Sequence, residues 1–93
     1  MYPSVIQVTV QEDFLLQLIF DNGEQRVLNM KPFLGFGVFG KLQDKQLFNS
    51  VHIAFDTIEW DGGIDLDPAF VYAKSLNLVP QNGENPYTQS NVS

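Results

Sequence analysis

Three groups of residues have types and spacings that could do chemistry. Gly35-Phe36-Gly37-Val38-Phe39-Gly40 fits the G-x-G-x-x-G pattern. That pattern cradles a pyrophosphate only when it follows a parallel strand and opens a helix. Here it follows Pro32, and only Lys41-Leu42-Gln43 separates it from Asp44. The expected structure is a flexible loop that tucks Phe36, Val38 and Phe39 onto a sheet. Asp56, Asp61 and Asp65, with Glu59 and Asp67 beside them, offer hard oxygens for calcium or magnesium. The spacing is not that of an EF-hand loop. Counted from Asp61, position 3 is Gly63, position 12 is Tyr72, and no glutamate closes the ring. Turn and helix-cap chemistry explains the same residues. His52 is the only histidine, on a predicted strand opposite the face of Val51 and Ile53. A general base needs a nucleophile and an orienting group. Ser50 lies two residues away, but no G-x-S-x-G frame surrounds it. No catalytic residue is assigned, and no cofactor is expected.

The element that must organise these residues is the stretch Phe14 to Met30, read as a β-hairpin. Asn22-Gly23 between two apolar runs is a strong hairpin signal. A two-residue turn would set Asp21 against Glu24 and mix polar with apolar side chains on each face. A three-residue turn, Asp21-Asn22-Gly23, sets Leu16 against Leu28 and Phe14 against Met30. Phe14, Leu16, Leu18, Phe20, Leu28 and Met30 then share one face. A one-residue slip would turn the whole apolar set over, so the better segregation decides the register. Gly23 is expected in the left-handed region. The second face is not fully polar, since it carries Leu15, Ile19 and Val27. Either a short helix covers it, or it is a surface for a partner or for self-association.

Around the hairpin the reading is of an α+β domain. Strand one runs from about Val5 to Gln11, with Ile6, Val8 and Val10 alternating with polar residues. Glu12-Asp13 is a tight connection, so the first three strands form an antiparallel meander. Pro32-Phe33-Leu34 suits a single helical turn started by proline. Asp44 suits the N-cap of a short helix to Ser50, with Leu47 and Phe48 inward. Val51–Phe55 and Thr57–Trp60 read as a C-terminal strand pair or as one bent strand. Trp60 suits a core position and is also counted with the candidate surface. Asp67-Pro68 reads as cap and first residue of a helix to Ser75, burying Phe70 and either Val71 or Ala73. Residues 1–75 are thus expected to be one domain and 76–93, rich in Asn, Gln, Ser and Pro, a flexible C-terminal tail.

Composition narrows the classes. Ninety-three residues suit one domain, and 44% apolar content suits a folded one. With no cysteine, disulfides, thiolate metal sites and cysteine nucleophiles are excluded. The net charge is −6, and Arg26, Lys31, Lys41, Lys45 and Lys74 are scattered. Direct nucleic-acid binding is therefore disfavoured, while a basic partner would suit the charge. No apolar run nears the length of a membrane span and no signal-peptide pattern opens the chain, so a cytoplasmic location is the default.

Taken together, the residues resemble a bacterial family, the domain-of-unknown-function family 2442. The resemblance rests on Phe20-Asp21-Asn22-Gly23-Glu24 with Arg26, on Pro32, on Gly37 and Phe39, on Phe48, and on Trp60, Gly63, Asp65, Leu66 and Pro68 ahead of Tyr72. It covers roughly residues 2 to 75. Asn29 departs from it, standing where such sequences often carry Asp. The resemblance implies a small α+β domain with a meandering sheet and short helices. It also implies an antitoxin-like or regulatory role beside a small toxin-like protein. It supplies no catalytic residues. The leading expectation is a non-enzymatic interaction module that uses Leu15, Ile19, Val27 and Trp60 to bind a small protein or a second copy. The alternative is a small-molecule or divalent-metal-binding domain using Asp56, Asp61 and Asp65.

Overall fold

Leu16 stands opposite Leu28 across the central hairpin, which fixes the three-residue turn. Phe20 and Glu24 close the loop through the Phe20 amide and the Glu24 carbonyl at 2.9 Å. The Gly23 amide returns to the Phe20 carbonyl at 2.9 Å, and Gly23 has φ +88°. The computed structural model describes residues 2–78. In it the hairpin strands, β2 (Leu15–Phe20) and β3 (Gln25–Asn29), join β1 (Val5–Val10) and β7 (Leu76–Asn77) in one antiparallel sheet ordered β1-β2-β3-β7. A second sheet is ordered β4-β5-β6, from His52–Ala54, Thr57–Trp60 and Ile64–Asp65. Helices α1 (Lys45–Phe48) and α2 (Pro68–Lys74) and three 3-10 segments complete an α+β fold.

Both sheets feed one core. Leu16, Leu18, Phe20, Leu28 and Met30 are buried, as the register demands, and meet Ile58, Trp60 and Ile64 of the second sheet with Val71 of α2. Phe14 leaves β2 at φ +62° yet still packs edge-on against Phe48, with ring centroids 5.1 Å apart. The caps follow their side chains. Asp44 accepts from the Gln46 amide and Asp67 from the Ala69 amide, each holding an N–H that the first helical turn leaves open. Lys31–Phe33 forms the proline-started turn.

Some local expectations fail for identifiable reasons, and two alternatives left open by the sequence, the strand pair and the buried residue of α2, are resolved. In β1 a bulge between Val5 and Gln7 turns Val5 into the core and leaves Ile6 58% exposed, not on the face of Val8 and Val10. The glycine-rich segment is a 3-10 helix, Gly37–Gln43, and only its Leu42 is fully buried. Phe36 is 68% exposed and Val38 is also exposed, so neither tucks onto a sheet. The strand pair is a hairpin, with Ala54 opposite Thr57 and Phe55-Asp56 as its turn. Phe55 takes φ +58° and is 98% exposed. In α2, Val71 is fully buried and Phe70 half-buried. Strand β6 follows the glycines at 62 and 63, both at positive φ, and adds a third strand beside β5, with Ile64 opposite Trp60.

The largest revision is at the C-terminal boundary. Leu76 and Asn77 are not tail: they pair with Val27 and Arg26, and the Leu78 amide donates to the Gln25 carbonyl at 2.8 Å. The expected tail otherwise lies outside the described residues.

Gly23→Val is expected to cost about 1–2 kcal/mol in thermal melting, the penalty for a side chain in the left-handed region. No atom within 4 Å would meet the added Cβ, so the loss is conformational, and Gly23→Asn should cost much less. Phe55→Asn should stabilise by up to about 1 kcal/mol, since it eases the same strain and gives up no buried surface.

Candidate interaction surface

The register decides what each face of the main sheet holds. Arg26 stands opposite Leu18, so its side chain enters the inner, core-facing side. There it grips the end of α2. Its Nε donates to Ser75 Oγ at 2.8 Å, and Nη2 donates to the carbonyls of Tyr72 at 3.1 Å and Ser75 at 2.8 Å. Nη1 meets Glu24 Oε1 at 2.7 Å, and the guanidinium lies 4.2 Å from the centre of the Tyr72 ring. The Tyr72 hydroxyl closes the circuit by donating to Glu24 at 2.9 Å. Only a planar, multiply donating cation can serve a carboxylate, two carbonyls and a ring face together.

Both acids in this circuit are shifted. Burial pushes the Glu24 carboxyl up, but hydrogen bonds from Tyr72, Arg26 and Asn22, with the charge of Arg26, outweigh it and hold it below its ordinary value. The hydrogen bond to Glu24 pushes Tyr72 up, helped by burial and the Glu24 charge and opposed by Arg26. Among the described residues no buried side-chain N or O lacks a partner. The circuit therefore holds β3, α2 and β7 together rather than presenting a free base or acid.

The opposite face carries Leu15, Ile19 and Val27, all half-buried. Strand β7 extends it. Leu76 stands opposite Val27 on this face, and Leu78 follows beside Gln25. Gln11, Leu15, Gln17, Val27 and Leu78 line a shallow groove of about 310 Å³. All five come from the sheet, its first turn or the residue after β7, so no described helix lies over the groove. The covering helix that the sequence allowed is absent among the described residues. Trp60 does not belong to this surface. It is fully buried, its Nε1 donates to the Phe48 carbonyl at 3.0 Å, and it presents nothing to a partner.

The remaining candidates are not assembled. Asp56, Asp61 and Asp65 lie on exposed turns and an edge, and among the described residues no three His, Cys, Asp or Glu side chains gather to hold a metal. His52 is exposed as expected. Its Nδ1 lies 2.9 Å from the Ser50 carbonyl and its Nε2 3.7 Å from Glu59. The Ser50 hydroxyl donates to the Leu47 carbonyl and accepts from the Asp61 amide, so it tethers α1 to the end of β5. Another hollow, of about 230 Å³, is lined by Phe39, Asp65, Leu66, Asp67 and Phe70. The Arg26 circuit escaped the sequence reading because its partners lie up to 49 residues away. Leu76 and Leu78 escaped because a two-residue strand has no period to detect.

The fold and this face define a small two-sheet α+β domain with one sheet surface that no described helix covers. The chain belongs to the family described as "Protein of unknown function (DUF2442)", whose model matches residues 5–77. No curated protein and no solved structure matches the chain. Glu24, Arg26 and Tyr72 all fall inside the matched span, as does β7. Among the described residues no helix is long and apolar enough to cross a membrane.

Arg26→Lys is expected to lower stability by about 2 kcal/mol in chemical denaturation, because a point cation cannot replace the fork. The pH dependence has a definite sign. Glu24, held low in the folded chain, contributes stability that is present above the ordinary carboxylate range and lost as pH falls through its lowered pKa. Tyr72, held high, contributes stability that is present below the ordinary phenol range and lost as pH rises through its raised pKa. Tyr72→Phe should flatten the melting temperature against pH at both ends. An unchanged profile would show that the circuit carries no stability.

Proposed function

We propose that this chain is a non-enzymatic protein-interaction module that docks protein on the outer face of its four-stranded sheet. One observation carries the reading. The sheet buries one face in the core, while its other face presents Leu15, Ile19, Val27, Leu76 and Leu78 with no described element over them. A sheet that needs only one covered face ordinarily alternates apolar-in with polar-out. An apolar strip on the outer side adds nothing to the core and suits a partner. The role is regulatory binding rather than turnover, in line with the antitoxin-like relation to a small toxin-like protein that the family resemblance implies.

The test is site-specific photo-crosslinking in cells of the native host. A photoreactive residue at Gln17, in the centre of the face, should give a discrete protein adduct, and one at exposed Lys41, on the 3-10 segment, should give none. Leu15→Asp combined with Ile19→Asp should retain a cooperative melt and lose the adduct. Equal adducts from both positions, or none from Gln17, would contradict the reading. A double variant that cannot fold would show that the face is core.

A further inference from the structure

The geometry points to a second copy of this chain as the protein that docks there, outer face on outer face across a two-fold axis. This rests on the reading of that face as a docking surface and names its occupant. The argument is one of charge and hydrogen-bonding chemistry. Charged residues make up 17% of the chain, and its net charge is −6. Yet the polar positions on the outer face are Gln7, Thr9, Gln11, Gln17, Gln25 and Asn29, and none is ionisable. Of the charged residues in and beside this sheet, Arg26 lies on the inner side, and Glu12, Asp13, Asp21 and Glu24 stand in the turns at its ends. A surface shaped for a basic partner would place carboxylates where that partner sits. This one keeps them off, as two like-charged copies require.

The groups that are present match their own kind. An amide or hydroxyl is both donor and acceptor, so it can pair with its own symmetry mate. A carboxylate or ammonium cannot. A two-fold interface sets a patch against itself, so this self-pairing property is what such an interface selects. Gln11 Nε2 already donates to Gln17 Oε1 at 3.3 Å, a bond that uses neither the Gln17 amide hydrogens nor the Gln11 oxygen. Gln17 and Val27, paired across β2 and β3, sit at the middle of the face, with Thr9 and Leu76 to either side across the sheet and Leu15 and Ile19 flanking Gln17 along β2. An axis through this pair brings residue 17 of one copy near residue 17 of the other.

Sedimentation equilibrium of the full chain tests this directly. The expected result is a mass that rises with concentration from one chain of 10.5 kDa toward two. Gln17→Glu should weaken the association roughly tenfold or more, because like charges then meet across the axis, and added salt should restore part of it. Gln17→Lys should weaken it likewise, and an equimolar mixture of the two variants should associate at least as tightly as the wild type. Lys41→Glu, off the face, should change nothing. Circular dichroism melts confirm that each variant folds. A chain that stays monomeric at every concentration would overturn the proposal, as would Gln17 variants that associate normally. If the chain is monomeric but the Gln17 crosslink captures a different protein, the docking reading stands and the second copy falls. If neither a dimer nor an adduct appears, both fall.

Discussion

Everything in this domain depends on the register of one hairpin. With Asp21, Asn22 and Gly23 as the turn, Leu16, Leu18, Phe20 and Leu28 fall on one side, and so does Arg26. An arginine on the core side of a sheet must be satisfied there, because a buried cation without partners is prohibitively costly. Glu24, Tyr72 and Ser75 supply those partners. The demand of one cation thus fixes where α2 ends, and the chain leaving Ser75 is already beside β3. Pairing of Leu76 and Asn77 to β3 follows from that placement more than from any preference of those two residues.

The same register gives the sheet its two characters. The helices and the second sheet gather on the side that holds the core and the Arg26 circuit. α2 packs on β5 with its Val71 fully buried, and Trp60 is locked beneath α1 by its bond to the Phe48 carbonyl. Among the described residues no helix covers the other side. The apolar strip there stands outside the core cluster, and its polar neighbours are uncharged in a strongly acidic chain. Both features are what the proposed docking surface would show, whereas solubility alone would favour charge on that face.

How much of this was legible in the sequence depended on whether a signal was local. The Asn-Gly turn, the apolar segregation of the hairpin, the Asp44 and Asp67 caps and the proline-started turn are all encoded within a few residues, and all appear where expected. The outer positions of Leu15, Ile19 and Val27 followed from the same parity. Non-local features did not show. The Ile6 bulge depends on how β1 meets both β2 and the turn at Asp56, whose carbonyl accepts from the Val5 amide. Strands β6 and β7 are two residues long, too short for a period, and exist because neighbours offer them a ladder. The glycine-rich segment has the composition of an apolar loop, but it winds as a 3-10 helix that leaves Phe36 and Val38 in solvent. Trp60 could be read either way until its ring was seen enclosed.

The most direct test of the claim that one face builds the fold and the other meets protein is a methyl NMR dilution series on the intact chain. The expected result is that methyl resonances of Leu15, Ile19 and Val27 move and broaden as concentration rises, while those of Leu42, Ile58 and Val71, fully buried in the core, stay fixed. Concentration-independent spectra, or changes confined to residues elsewhere on the molecule, would contradict it.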